Sequence, residues 1–185
     1  MKNTLFLIVL LSLFACAEKT AENSAYFDEI AQLDETYNTV DSNHNTFTNI
    51  DIDTMQYFRT IVTQKYKKAK EVYTTEFLDT NYEKIMLIAR GQFTKKLSKI
   101  AENSEKIKKE YKYSTNQYKT LRENLIHENG EEEKLLTYYN EEKQALIILN
   151  AEIVNFNEDL SNTISLAGVI IPQLDSIIEV HEEPQ

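Results

Sequence analysis

From about residue 24 onward, apolar residues recur at alternating spacings of three and four. Only a helix places such positions on one face. The longest run is Leu135, Tyr139, Glu142, Leu146, Leu149, Ile153, Phe156, Leu160, Thr163, Ala167, Ile170, Leu174, Ile177 and His181, with Glu142, Thr163 and His181 its polar members. Thr163 is expected to pack its methyl and return its hydroxyl to the helix backbone. An offset register through Ile164, Ile171 and Ile178 widens the face. A second run reads Phe93, Leu97, Ile100, Ser104, Ile107, Tyr111, Ser114, Tyr118, Leu121 and Leu125, and extends back through Ala89, Met86 and Tyr82. Repeats this long imply helices packed side by side. Three Gly and two Pro in 185 residues leave little to interrupt them.

A third run, Ile30, Leu33, Tyr37, Val40, His44 and Phe47, falters in the Asn-, Asp- and Thr-rich stretch 41–53. Those side chains compete for backbone hydrogen bonds, so a break or kink is expected between 41 and 51. Met55, Phe58, Val62, Ala69 and Val72 then carry a helix to about residue 78. Thr80-Asn81-Tyr82-Glu83 fits a capping box. Asn129-Gly130 is expected to supply a left-handed C-terminal cap, followed by three Glu in the next first turn. Gly168 and Pro172 predict a kink inside the last helix. The passes 24–78, 82–128 and 131–181 are of similar length with short connections. They predict an all-α, elongated, antiparallel three-pass helical bundle or coiled coil, about four helices in all, roughly 75 Å long.

The segment Leu5 to Ala15 is apolar but about half the ~20 residues of a spanning helix. It follows the basic start Met1-Lys2, which is signal-peptide anatomy. Leu13-Phe14-Ala15-Cys16 resembles the lipobox of bacterial lipoproteins, although Phe14 is bulkier than usual at its position. The resemblance implies cleavage before Cys16, a diacylglycerol thioether on its sulfur and an acyl chain such as palmitate on its amine. An ordinary signal peptide with an incidental Cys and a membrane-spanning anchor are the alternatives. The organisation then reads as signal peptide 1–15, lipidated tether 16–23, a single bundle domain 24–181 and a tail 182–185. Cys16 is the only cysteine, so neither an intrachain disulfide nor a Cys metal cluster can form.

Charge is segmented. Residues 16–58 hold one Lys against nine Asp and Glu, a net of −8; residues 59–122 net +9; residues 123–185 net −12. Complementary signs can select which helix lies beside which. In an antiparallel rod, Lys65, Lys67, Lys68, Lys70, Lys84, Arg90, Lys95, Lys96 and Lys99 would cluster at the end far from the lipid. Glu18, Glu22, Asp28, Glu29, Glu128 and Glu131 to Glu133 would collect at the near end. The basic set is the candidate contact for an anionic polymer such as cell-wall glycan or lipopolysaccharide phosphate, with Asp175, Glu179, Glu182 and Glu183 blunting it.

Catalytic signatures are missing. The sequence contains no G-x-S-x-G, P-loop, G-x-G-x-x-G or H-E-x-x-H, and no enzyme activity, cofactor, metal or nucleic-acid partner is expected. Glu123 and His127, four apart, form at most half a metal site, and an ordinary helix-end His is the simpler reading. His44 reads as a partly buried polar core residue or a cap. Tyr82, Tyr111 and Tyr118 fall on the core register, whereas Tyr66, Tyr73, Tyr113 and Tyr138 fall off it. The lipobox followed by long helices rich in Glu, Lys and Tyr resembles, in architecture alone, helical lipoproteins described as cell-wall-binding. The resemblance implies a non-enzymatic bacterial envelope lipoprotein, the outer membrane favoured, held to the membrane through Cys16. It would act as a spacer, tether or scaffold toward a cell-wall polymer or envelope protein. The alternative is a module that sequesters one specific protein, of inhibitor or immunity type. Self-association through a leftover apolar stripe is a third outcome.

Overall fold

A computed structural model describes residues 19–48, 52–72 and 80–182. After a 3-10 turn at Ala21–Asn23 come α1 (Phe27–Thr48), α2 (Ile52–Val72), α3 (Thr80–Leu87), a π-helical segment (Ile88–Phe93), α4 (Thr94–His127) and α5 (Glu132–Glu182). The protein is all-α, a bundle of helices packed against one another, with no strand among the described residues. The signal segment, Cys16, residues 49–51, the 73–79 connection and residues 183–185 lie outside the described residues, as do the side chains of Ile52, Asp53, Thr80, His181 and Glu182.

Of the stretch 41–51 in which a break is expected, 41–48 is still helical as the end of α1, 49–51 lie outside the described residues, and a new helix begins at Ile52. The polar side chains that should have competed with the helix are satisfied inside it or across it. Asn45 bonds back to Asp41 at 3.1 Å, the Thr46 and Thr48 hydroxyls donate to the carbonyls of Ser42 and Asn45, and Asn43 donates to Asn150 of α5 at 2.8 Å. Val40, His44 and Phe47 are buried, and that burial outweighs weak local propensity.

The chain forms two compact units. The first comprises residues up to 38 together with 114–146. Its core is Ile30, Leu33, Leu121, Leu125, Ile126, Leu135, Tyr139 and Leu146. Contacts here run antiparallel between α1 and α4: Ser24 Oγ donates to the Leu125 carbonyl at 2.7 Å, Tyr118 OH to Asp34 at 2.7 Å, and Tyr37 OH meets Thr115 Oγ1 at 3.4 Å. Asp34 also takes the Arg122 Nε–H at 2.9 Å, and Tyr37 stacks on Tyr118 with ring centroids 3.9 Å apart. Burial first, then the bond to Asp34, push the Tyr118 phenol well above the ordinary tyrosine range. Tyr118 is therefore both a packing ring and a donor. From α5, Tyr139 OH and Lys143 Nζ both donate to Gln32 Oε1, at 3.1 and 2.6 Å.

The α4–α5 turn corrects one expectation. The left-handed residue is Glu128, at φ 54°, one position before the Asn129-Gly130 pair assigned to that role. Asn129 N–H bonds the Asn124 carbonyl at 2.9 Å, the long closure of a Schellman cap. Gly130 is needed too, at φ 146°, where a residue with a side chain would be strained. Glu128 holds its unfavourable conformation because its carboxylate has partners, described below.

The second unit comprises 39–113 and 147–185. Here α2 packs against the π-helical segment. Lys106 pairs with Glu152 at 2.9 Å and Lys65 with Asp175, joining the basic helices to α5. The core includes Val40, Phe47, Val62, Ala69, Phe93, Leu97, Ile107, Ile153, Phe156, Leu160, Ile170, Leu174 and Ile177. Thr163 is fully buried and its hydroxyl donates to the Asp159 carbonyl at 2.7 Å, as the sequence predicts. Helix α5 continues without interruption through Gly168 and Pro172, the place assigned to a kink. Among the described residues α5 alone is long and apolar enough to cross a membrane, with a mean hydropathy of 1.4 over its most apolar window. A helix that supplies core residues along its whole length has the same composition.

Glu142, the polar intruder on the α5 register, is half-buried, and its Oε1 has no hydrogen-bond partner among the described residues. Burial raises its pKa above the usual 4.5. The folded state therefore binds the proton more tightly than the unfolded chain does. Ionised Glu142 costs stability at neutral pH, and that cost is relieved as pH falls through the raised pKa. Glu142→Leu is expected to stabilise the protein by about 1 kcal/mol at pH 7. In urea melts the gain should shrink as pH approaches 4.5.

Candidate functional site

Three features are candidates: the basic set, the N-terminal clasp and a groove. All nine residues of the basic set belong to the second unit, whereas Glu22, Asp28, Glu29, Glu128 and Glu131 to Glu133 belong to the first. The nine cations are not equivalent. Lys65 is paired with Asp175. Lys68 lines a shallow depression with Lys65, Asp175 and Glu179. The acidic residues of α5 thus neutralise part of the set. Lys67 and Lys70 on α2, Lys84 on α3, Arg90 on the π-helical segment, and Lys95, Lys96 and Lys99 on α4 are exposed. Among the described residues these seven make no ion pair. Packing of α2 on the π-helical segment sets the helix of Lys67 and Lys70 beside the one that carries Arg90.

The π-helical segment was not foreseen. Its sequence, IARGQF, buries both Ala89 and Phe93. Thr94 meets the altered backbone in two ways: its N–H bonds the Gly91 carbonyl, and its hydroxyl reaches back to the Ala89 carbonyl at 3.4 Å. Glycine in mid-helix was the only sequence signal.

The clasp lies in the first unit. Lys19 Nζ pairs with Glu128 at 2.7 Å, the Ala25 N–H donates to the other Glu128 oxygen at 3.1 Å, and Ser24 Oγ donates to the Leu125 carbonyl. The same Ser24 oxygen accepts the Tyr26 N–H at 3.1 Å, capping the entry to α1. The bond from Lys19 and then that from Ala25 hold the Glu128 carboxyl below the usual range. One carboxylate, on the residue with positive φ, fastens the start of the described chain to the end of α4. Residues 19–25, read from sequence largely as a tether, are built onto the bundle.

The groove lies in the second unit and encloses about 610 Å³, within the range of ligand pockets. Phe47, Met55, Leu97, Ile100, Phe156 and Leu160 form its apolar walls. Thr48, Gln56, Thr60, Thr63 and Gln64 supply neutral polar groups, and among the described residues Arg59 and Lys108 line it and no Asp or Glu does. Ser104, also on the wall, is 2% exposed, and its hydroxyl has no hydrogen-bond partner among the described residues. On the sequence alone Ser104 is an ordinary small residue on a core register, and nothing marks Arg59 or Lys108.

Of the histidines, His127 sits 3.5 Å from Glu123, an i,i+4 pair at the helix end. Among the described residues no three His, Cys, Asp or Glu side chains converge as a metal site would require. His44 is 8% exposed and stacks on Tyr111, centroids 3.5 Å apart, while Tyr111 OH donates to Asp41. Its Nε2 has no hydrogen-bond partner among the described residues.

No protein-family model, curated protein or solved structure matches the chain.

Burial, aided by Lys108 and opposed by Asp41, pushes the His44 pKa below 6.5. The unfolded chain then takes up a proton before the folded one does. The stability from neutral His44 is complete above about pH 6.5 and is lost as pH falls toward the depressed folded pKa. His44→Phe, which keeps the ring stack, is expected to flatten this loss as pH falls below about 6.5. Thermal melts across that window, compared with the parent, test it.

Proposed function

We propose that the protein is a non-enzymatic envelope lipoprotein, anchored through acylated Cys16, whose helical bundle serves as a spacer, tether or scaffold. The clasp carries this reading. Only Ala17 and Glu18 separate Cys16 from Lys19, and Lys19, Ser24 and Ala25 are bonded to Leu125 and Glu128. A lipid on Cys16 would therefore couple to the bundle through a link of about 7–10 Å, the reach of three residues or fewer. A scaffold whose task is to hold position benefits from such a link, because a long flexible linker would uncouple the anchor from the body. Several acyl chains on one cysteine give the stable anchoring that a single chain does not. Cys16→Ser is expected to move the protein from the membrane to the soluble fraction. Persistence in the membrane fraction would refute the anchor.

The exposed cations support a polymer-contacting role for the scaffold. Lys67, Lys70, Lys95 and Lys96 make no ion pair among the described residues, and such groups attract polyanions at low cost in desolvation. Reversing these four to Glu is expected to abolish sedimentation with isolated envelope polymers. Binding by the parent should also weaken between about 0.05 and 0.5 M salt. Retention by the reversed protein excludes the basic set as the contact. Crosslinking in cells separates this role from sequestration, which would yield one dominant protein partner.

A further inference from the structure

We propose that the groove between Phe47 and Leu160 is a binding site for a long-chain fatty carboxylate, a function separate from anchoring and independent of Cys16. Three observations select this chemistry. The walls are apolar on facing helices, with Met55 from α2, Leu97 and Ile100 from α4, and Phe156 and Leu160 from α5, so they favour a hydrocarbon chain over a sugar or peptide backbone. Among the described residues the charge on the lining is of one sign. Arg59 makes no ion pair among the described residues, and Lys108 holds only the exposed surface partner Glu105 at 3.1 Å. A guanidinium suits a carboxylate because it can bond both oxygens at once. Finally, the Ser104 hydroxyl is buried against the groove without a partner among the described residues. Such a group is costly to leave unsatisfied, and an entering carboxylate would accept a hydrogen bond from it. Ser104 and Lys108 are four apart on α4, so both fall on one helix face.

The cavity's size and the charge of its lining set further expectations. Each added methylene should tighten binding about fourfold until the chain outgrows the groove. An alkyl trimethylammonium of equal length should bind worse than the carboxylate.

The test uses the full chain and displacement of an environment-sensitive fluorescent fatty acid by octanoate, laurate and palmitate, with cetyltrimethylammonium as the charge-reversed probe. Saturable one-to-one binding that strengthens from octanoate to palmitate is expected. Ala101→Trp, at an exposed position on the groove wall, should weaken palmitate at least about tenfold. Arg59→Glu should remove or reverse the preference for the anionic probe. Val169→Ser, on an exposed part of α5 away from the groove lining, should leave binding unchanged. Maleimide labelling of Thr60→Cys in a Cys16→Ser background, slowed by palmitate, reads occupancy without relying on Ala101→Trp to fold. Absence of saturable binding, equal binding of both charge types, or labelling unaffected by palmitate would overturn the proposal.

Discussion

Burial of the apolar stripe on α5 is the constraint on which the other packing depends. One helix of 51 residues supplies core side chains to both units, Leu135 to Leu146 in the first and Leu149 to Ile178 in the second. Single helices of lower hydrophobicity, such as α1 and α4, gain most of their stability by covering it. This explains why α1 remains helical through a stretch whose composition argues for a break. Local preference costs a few tenths of a kcal/mol per residue, whereas fully burying a side chain such as Val40 or Phe47 gains roughly 1.5–3 kcal/mol. The intruders Glu142 and Thr163 mark the two ways of tolerating a polar group on such a stripe. Thr163 satisfies itself on its own helix, and Glu142 leaves an oxygen unpaired.

Charge adds selectivity to a core that is not itself selective. Aliphatic stripes of similar width can pack in several pairings, but Lys106–Glu152, Lys65–Asp175 and Arg122–Asp34 connect a helix of one sign to a helix of the other. Partly exposed pairs contribute little stability each. Their effect is to set which acidic residue each of these cations meets, and so to penalise alternative registers.

Most of the bundle was legible in the sequence because the three-and-four spacing is dictated by the core, and core positions carry few polar exceptions. Leu146, Ile153, Leu160, Ile170 and Leu174 are buried where that spacing puts them. The turn after α4 was legible as a turn but not in its detail. A left-handed Glu128 is disfavoured locally and is held by Lys19 and Ala25, more than a hundred positions away in sequence. The π-helical segment is similar, since one added residue per turn changes the local geometry but hardly alters the spacing. The basic set was legible, and so was its blunting by Asp175 and Glu179 of α5; which lysines those two meet depended on the packing. The groove was illegible in principle: its walls come from four separate stretches, and the residues that give it character, Ser104 and Arg59, look unremarkable one at a time.

The clasp also determines how the first unit would respond to mechanical load. A pull on the N-terminal end of the chain reaches the Lys19–Glu128 pair first, then the Ala25 and Ser24 bonds, before it acts on α1. These contacts would rupture in sequence, like a strip being peeled, rather than share the load as parallel bonds do in shear. The clasp would then act as a mechanical fuse: it yields at low force and lengthens the connection while the packed helices behind it remain folded.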